Sequence, residues 1–236
     1  MNHTAHTQSH RHTRLTQLTQ RTQLVRRIGQ IALTASLISL GTAAFAVPDA
    51  QFQTAFKQFI RASAGDTTAI DQAAEVFSGL LKSEPANPVL LAYTGAATAM
   101  KAATTVLPWK KMNYAEDGLS QLDKALAMLN PAHDAPVQNG TPGVLEVKFV
   151  AANTFLSVPA FMNRHDRGSK LLGEVLANPL FTMAPLGFKG TVWLKAASEA
   201  IKANNTADAK RLLDMIVEQQ APQATRAQVL LKGLAS

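Results

Sequence analysis

From Val47 onward, apolar residues recur at spacings of three and four, and proline or a capping residue breaks the recurrence at intervals. That period winds an apolar stripe along one face of an α-helix, whereas a half-buried strand would alternate every second residue, which no stretch here does. Phe52, Phe56, Phe59 and Ile60 mark a first helix. Asp66 can cap a second through its side-chain oxygen, one carrying Ile70, Ala73, Phe77, Leu80 and Leu81. Asn87-Pro88 opens the third, with proline where its missing N–H costs nothing. Pro108 opens the fourth, Thr141-Pro142 the fifth and about Asp166 the sixth. Two more run from about Leu186 and Thr206, and a short last one covers roughly 224–231. About nine helices with short links predict an all-α domain of four antiparallel hairpins and a closing helix. The chain has no cysteine, so packing alone must stabilise it, and residues 47–236 suffice for one core.

The formal net charge of +7 comes mostly from one end. Five arginines and no acidic residue lie within residues 1–46, leaving 18 basic against 16 acidic residues in the remainder. So mild an excess does not supply the clustered basic face that nucleic acid requires. Residues 1–46 read as an export signal. Arg26-Arg27 is the positive flank, "IGQIALTASLISL" the apolar segment and "AFA" at Ala44–Ala46 the cleavage site. The apolar run is shorter than the roughly 20 residues a membrane span takes and contains Gln30, Thr34, Ser36 and Ser39. The expected product is a soluble periplasmic protein that begins at Val47 and meets the membrane only through its transient signal. His3, His6, His10 and His12 stand in the leader, where a discarded segment is a simpler reading than a metal site.

A repeat is visible within the helices. In "AAEVFSGLLKSEPANP", Ala73, Phe77, Leu80 and Pro85 stand at offsets 0, 4, 7 and 12. This resembles the second helix of a tetratricopeptide (TPR) repeat, although the family prefers a smaller residue than Leu80. Leu91 and Gly95 match the next first helix, and Trp193, Ala197, Ala209, Leu213 and Ile216 match a later hairpin. Gly118, Leu122 and Ala125 give a weaker match, and around 164–179 only Leu172 and Val175 fit. In such repeats a small residue on one helix receives a bulky one from its partner, and stacked hairpins share a core. "NPVLLAYTGAATAMKA" through "LPWKKMNYAEDGLSQLDKAL" also looks like short exported bacterial TPR-like proteins of unassigned function. The resemblance implies a right-handed solenoid and a scaffolding role beside an envelope transport or assembly machine. It brings no catalytic residue.

Motifs for chemistry are sparse. HExxH, GxSxG, SxxK and the phosphate-binding P-loop are all missing from the sequence, and thiol catalysis is excluded. His133-Asp134 and His165-Asp166, 32 residues apart, suggest a shared metal site only weakly, because such a site needs three or four ligands of defined geometry. No cofactor, metal or enzyme activity is therefore expected.

"LPWKKMNYAEDG" at 107–118 holds the densest grouping of aromatic and basic residues. Met112, Ala115, Leu119 and Leu122 fall at core spacing, which leaves Lys110, Lys111 and Tyr114 mostly off the stripe. Trp109 either seals the hairpin's end or anchors a partner. "FMNRHDR" repeats that character further along. Trp109, Lys110, Lys111, Tyr114, Phe161, Asn163 and Arg164 are thus the expected contacts to an envelope protein or peptide. The competing expectation is a carrier of a small apolar ligand, using Phe155, Phe161, Met162 and Phe181 between hairpins. A closed apolar cavity would favour the carrier, and an open groove of mixed charge the scaffold.

Overall fold

The computed structural model describes residues 49–234, so the expected signal, its cleavage site and the histidine-rich leader lie outside the described residues. Nine α-helices form among the described residues: α1 (Asp49–Ser63), α2 (Thr67–Ser83), α3 (Pro88–Met100), α4 (Pro108–Ala127), α5 (Gly143–Phe155), α6 (His165–Ala177), α7 (Leu186–Lys202), α8 (Thr206–Glu218) and α9 (Ala224–Leu234). There is no strand among them. None of these helices is long and apolar enough to cross a membrane.

The helix starts follow from their side chains. Asp66 accepts the backbone N–H of Thr68 and so satisfies a donor that the first turn of α2 leaves free. Asn87 does the same for Val89 and Leu90, and Pro88 occupies the first position of α3. Pro108 opens α4 without a side-chain cap. Between α7 and α8, Asn204 takes a left-handed φ of 57°, and Asn205 caps α8 through Asp208 N–H. Asp166, expected to open the sixth helix, sits inside α6, whose start carries no side-chain cap.

Neighbouring helices pair as α1–α2, α3–α4, α5–α6 and α7–α8, and α9 packs on α8. Helix α3 also touches α1, α2 and α5, so its surface from Pro88 to Ala97 is wholly buried. Small residues make that density possible. A Cβ added at Gly95 or Gly118 would lie within 3 Å of the other glycine's carbonyl oxygen, and at Gly118 also of Ala99 N. The α3 and α4 backbones therefore touch directly. Gly168 plays the same part for α5 and α6, where a Cβ would press on Leu156. Ala73, Ala125, Ala197 and Ala209 are fully buried, as are Phe77, Leu122, Leu213 and Ile216. The weak sequence match near 164–179 hid a small residue: Gly168 stands four before Leu172 and seven before Val175.

Two aromatic clusters lie in the core. Phe77 stacks on Tyr93 at 4.8 Å, with Phe52, Phe56 and Phe59 arranged edge-on to the tyrosine ring. Phe149, Phe181, Phe188 and Trp193 form the second cluster, and its Phe149–Phe188 contact joins α5 to α7.

Candidate functional site

Helices α1, α3, α5 and α7 share an apolar groove of about 480 Å³. Phe56, Phe59 and Ile60 of α1 line one side, and Phe149 and Val150 of α5 with Phe188 of α7 line the other. Tyr93 of α3 and Glu146 of α5 also line it, and Pro222-Gln223 closes it near α9. Ile60 is 49% exposed, an apolar side chain that the core does not use. Gln223 fastens its loop to α7 by donating to Gly187 O at 3.1 Å and to Thr191 Oγ1 at 2.9 Å.

A polar chain crosses this apolar lining. Gln53 Nε2 donates to Asn139 Oδ1 at 3.0 Å, and Asn139 Nδ2 donates to Glu146 Oε1 at 3.0 Å. Tyr93 O–H donates to the same Oε1 at 2.6 Å. Glu146 is only 2% exposed, and its Oε2 is buried with no hydrogen-bond partner among the described residues. Burial pushes the Glu146 carboxyl above the usual range, against the lowering effect of the two donors. Burial raises the Tyr93 phenol well above its ordinary value, and the Glu146 charge adds to the rise. Glu146 thus sets into the wall of the groove a buried carboxyl that keeps its proton longer than usual, with Oε1 taking two donors and Oε2 unshared. Such a group either donates its proton to a guest or accepts a donor from one.

The residues singled out from the sequence lie elsewhere. Trp109 is 62% exposed in the first turn of α4, so it does not seal the hairpin. Lys110 and Lys111 are exposed. Tyr114 is half-buried beneath Lys101, whose Nζ is 5.0 Å from the ring centroid. Phe161 is 66% exposed, and Asn163 adopts a left-handed turn at φ 52°. Arg164 Nη1 reaches Asp123 at 3.0 Å while its guanidinium covers the Phe155 ring. Phe161, Met162 and Arg164 meet Met112, Glu116 and Asp123 around a shallow depression between α4 and the α5–α6 connection. Trp109, Lys110, Lys111 and Tyr114 are not part of that lining. Met112, placed on the core stripe by its spacing, is 36% exposed there.

The four residues offered for a ligand pocket do not share one. Phe155 and Phe181 are buried in the core, whereas Phe161 and Met162 face the depression. The two histidines of the His-Asp pairs have different partners. His133 joins Asn130 in a capping box, and His165 Nε2 lies 3.6 Å from Glu199. No group of three or more potential metal ligands occurs among the described residues.

Sequence reasoning passed over Glu146, Tyr93 and Asn139. A signal was available, since Glu146 interrupts the apolar run "GVLEVKFV" and shares its helix face with Phe149 and Val150. No protein-family model, curated protein or solved structure matches this chain.

Proposed function

We propose that the protein is an exported, non-enzymatic TPR-like scaffold that holds an apolar segment of an envelope protein or peptide in the groove lined by α1, α3, α5 and α7. One observation carries the reading: aromatic side chains from four hairpins converge on a groove whose exposed apolar rim, at Ile60, contributes little to the core. Contiguous exposed apolar surface on a folded domain marks a binding site more often than chance, and aromatic anchors supply most of the affinity where they occur. The hairpin pairing and its small-residue contacts support the TPR-like reading. The export reading rests on Arg26-Arg27, the apolar run and Ala44–Ala46. A partnership with an envelope transport or assembly machine rests on the TPR-like resemblance.

Capture from envelope extract tests the reading. Ile60→Glu should abolish recovery of the main partner while leaving helical content unchanged. The corner at Trp109, Lys110 and Lys111 is the rival surface, so the double change of both lysines to glutamate serves as the second arm. Loss of partner in that arm alone would move the binding site to the corner. The carrier reading draws support from the cavity's size, which lies within the roughly 300–1,000 Å³ of small-molecule pockets. An apolar small molecule co-purifying with the protein in place of a partner chain would favour it. N-terminal sequencing of the exported protein should begin at Val47, and a start upstream of Ile28 would overturn export by cleavage.

A further inference from the structure

Among the described residues lining the groove, Glu146 carries the one carboxyl, and one of its oxygens has no hydrogen-bond partner. Glu146 Oε1 already takes two donors, from Tyr93 and Asn139, whereas the buried Oε2 has none. An unmatched buried acceptor costs free energy in proportion to the hydrogen bond it lacks. Among the residues lining the groove none is lysine, arginine or histidine. In its ionised form this carboxyl is complemented by a hydrogen-bond donor carrying positive charge, which in turn favours ionisation, whereas an anionic head group would meet it with no compensating cation in the lining.

Geometry also selects among cations. A guanidinium binds best as a fork across both oxygens of a carboxylate. Here Oε1 is already engaged by the phenol and the amide, which leaves a single oxygen for a single-point donor. An ammonium meets that requirement, because it is a compact point charge on a flexible apolar stem. Phe56, Phe59, Phe149 and Phe188 are among the lining residues and supply apolar surface for such a stem.

We infer that the groove recognises a lysine side chain flanked by apolar residues in a partner segment, its ammonium bonding to Glu146 Oε2 while its methylenes and neighbours lie against the aromatic lining. The inference rests on the groove being the partner site, and its test separates the two. The probes are the pentapeptide acetyl-Phe-Leu-Lys-Leu-Phe-amide and versions with norleucine, arginine or glutamate at the centre, titrated calorimetrically into the purified protein. Norleucine keeps the stem and removes the charge. The lysine peptide should bind about tenfold or more tighter than the norleucine peptide, as a charge-assisted hydrogen bond implies. Arginine should fall below lysine, and glutamate should not bind. Glu146→Gln should erase the lysine advantage and leave norleucine affinity unchanged, which also shows that the variant is folded. Equal affinity for lysine and norleucine would overturn the lysine assignment and leave the groove reading standing. Failure of every peptide to bind would overturn both. Phenylbutylamine matching the pentapeptide's affinity would overturn the peptide occupant in favour of a small amine.

Discussion

Replacing Gly118 and Gly79 by alanine applies one chemical change to two helices with opposite expected signs. In a helix interior alanine is favoured over glycine by about 0.5–1 kcal/mol, because the unfolded chain has less backbone freedom to lose. Gly79 lies in α2, and a Cβ there meets nothing within 4 Å, so the full gain should appear. At Gly118 the new carbon would sit within 3 Å of Gly95 O, Ala99 N and Ala99 Cβ. Two of these atoms belong to the backbone, so no rotamer change relieves the contact and α3 must move. Helix α3 cannot move freely, because α1, α2, α4 and α5 all touch it. Overpacking of this kind costs about 1–3 kcal/mol, more at the upper end when backbone is pushed. The clash therefore outweighs the propensity gain, for a net loss of about 1–2 kcal/mol. At the roughly 2–4 °C per kcal/mol typical of chains this size, Gly118→Ala should melt several degrees below the parent and Gly79→Ala a few degrees above it. Circular dichroism melts and urea titration both read the difference. A Gly118→Ala protein at least as stable as Gly79→Ala would refute the direct backbone contact between α3 and α4.

Three further changes test other parts of the fold. Ala209→Leu should cost roughly 1–3 kcal/mol by overpacking a fully buried position on α8, and an unmoved melting temperature would contradict its burial. Trp109→Ala should change stability by no more than about 0.5 kcal/mol, since the ring is mostly exposed, whereas a loss near 3 kcal/mol would mean that the ring is buried after all. Glu146 should impose a pH dependence of its own. Burial raises its folded-state value above the ordinary 4.5, so the folded chain holds the proton more tightly than the unfolded chain. Its contribution to stability therefore falls as pH rises from about that ordinary value to the raised one, then levels off. Asp66 contributes in the opposite sense, its carboxyl lowered by Thr68 and Arg61. So does Glu199, where Lys202 and Lys195 overcome the raising effect of partial burial. Subtracting the urea-denaturation profile of Glu146→Gln from that of the parent removes these shared terms. A difference curve that is flat or rises with pH would show that the Glu146 carboxyl is not desolvated.

The helices were legible because their signals are local. Asp66 and Asn87 cap where their side-chain oxygens reach the next N–H groups, and Pro88 and Pro108 open the helices they precede. The hairpin contacts were partly legible, since Ala73, Gly95, Gly118 and Ala209 are small residues at fixed offsets from larger ones. Gly168 escaped because the loops around it lengthen the spacing from Gly118 well past the ~34 residues of the repeat it resembles. The groove was not legible, for a geometric reason. Phe52, Phe56, Phe59 and Ile60 form one apolar stripe on a helical wheel, yet Phe52 is fully buried whereas Ile60 is half exposed. Periodicity locates an apolar face but does not divide it between a core and a groove. Trp109 shows the same limit from the other side: the sequence left open whether its ring seals the hairpin or stands free as an anchor, and the fold leaves it exposed at the start of α4.

Glu146 separates what the fold needs from what it carries. On stability alone, position 146 would favour an apolar residue, as at its neighbours Leu145 and Val147, which are both fully buried. A buried carboxyl with a free oxygen weakens the folded state, since its desolvation is offset on one side only. Tyr93 and Asn139 do not remove that cost. They hold Oε1 in place, which orients the carboxyl and leaves Oε2 unpaired. Gln53 then orients the Asn139 amide from α1, so three helices and a loop all contribute to the position of one oxygen. Packing requirements account for the glycines and alanines between the helices. They do not account for a polar chain that ends in an unsatisfied acceptor, whereas the ammonium proposed for the groove would supply the missing partner and turn a local cost into binding free energy.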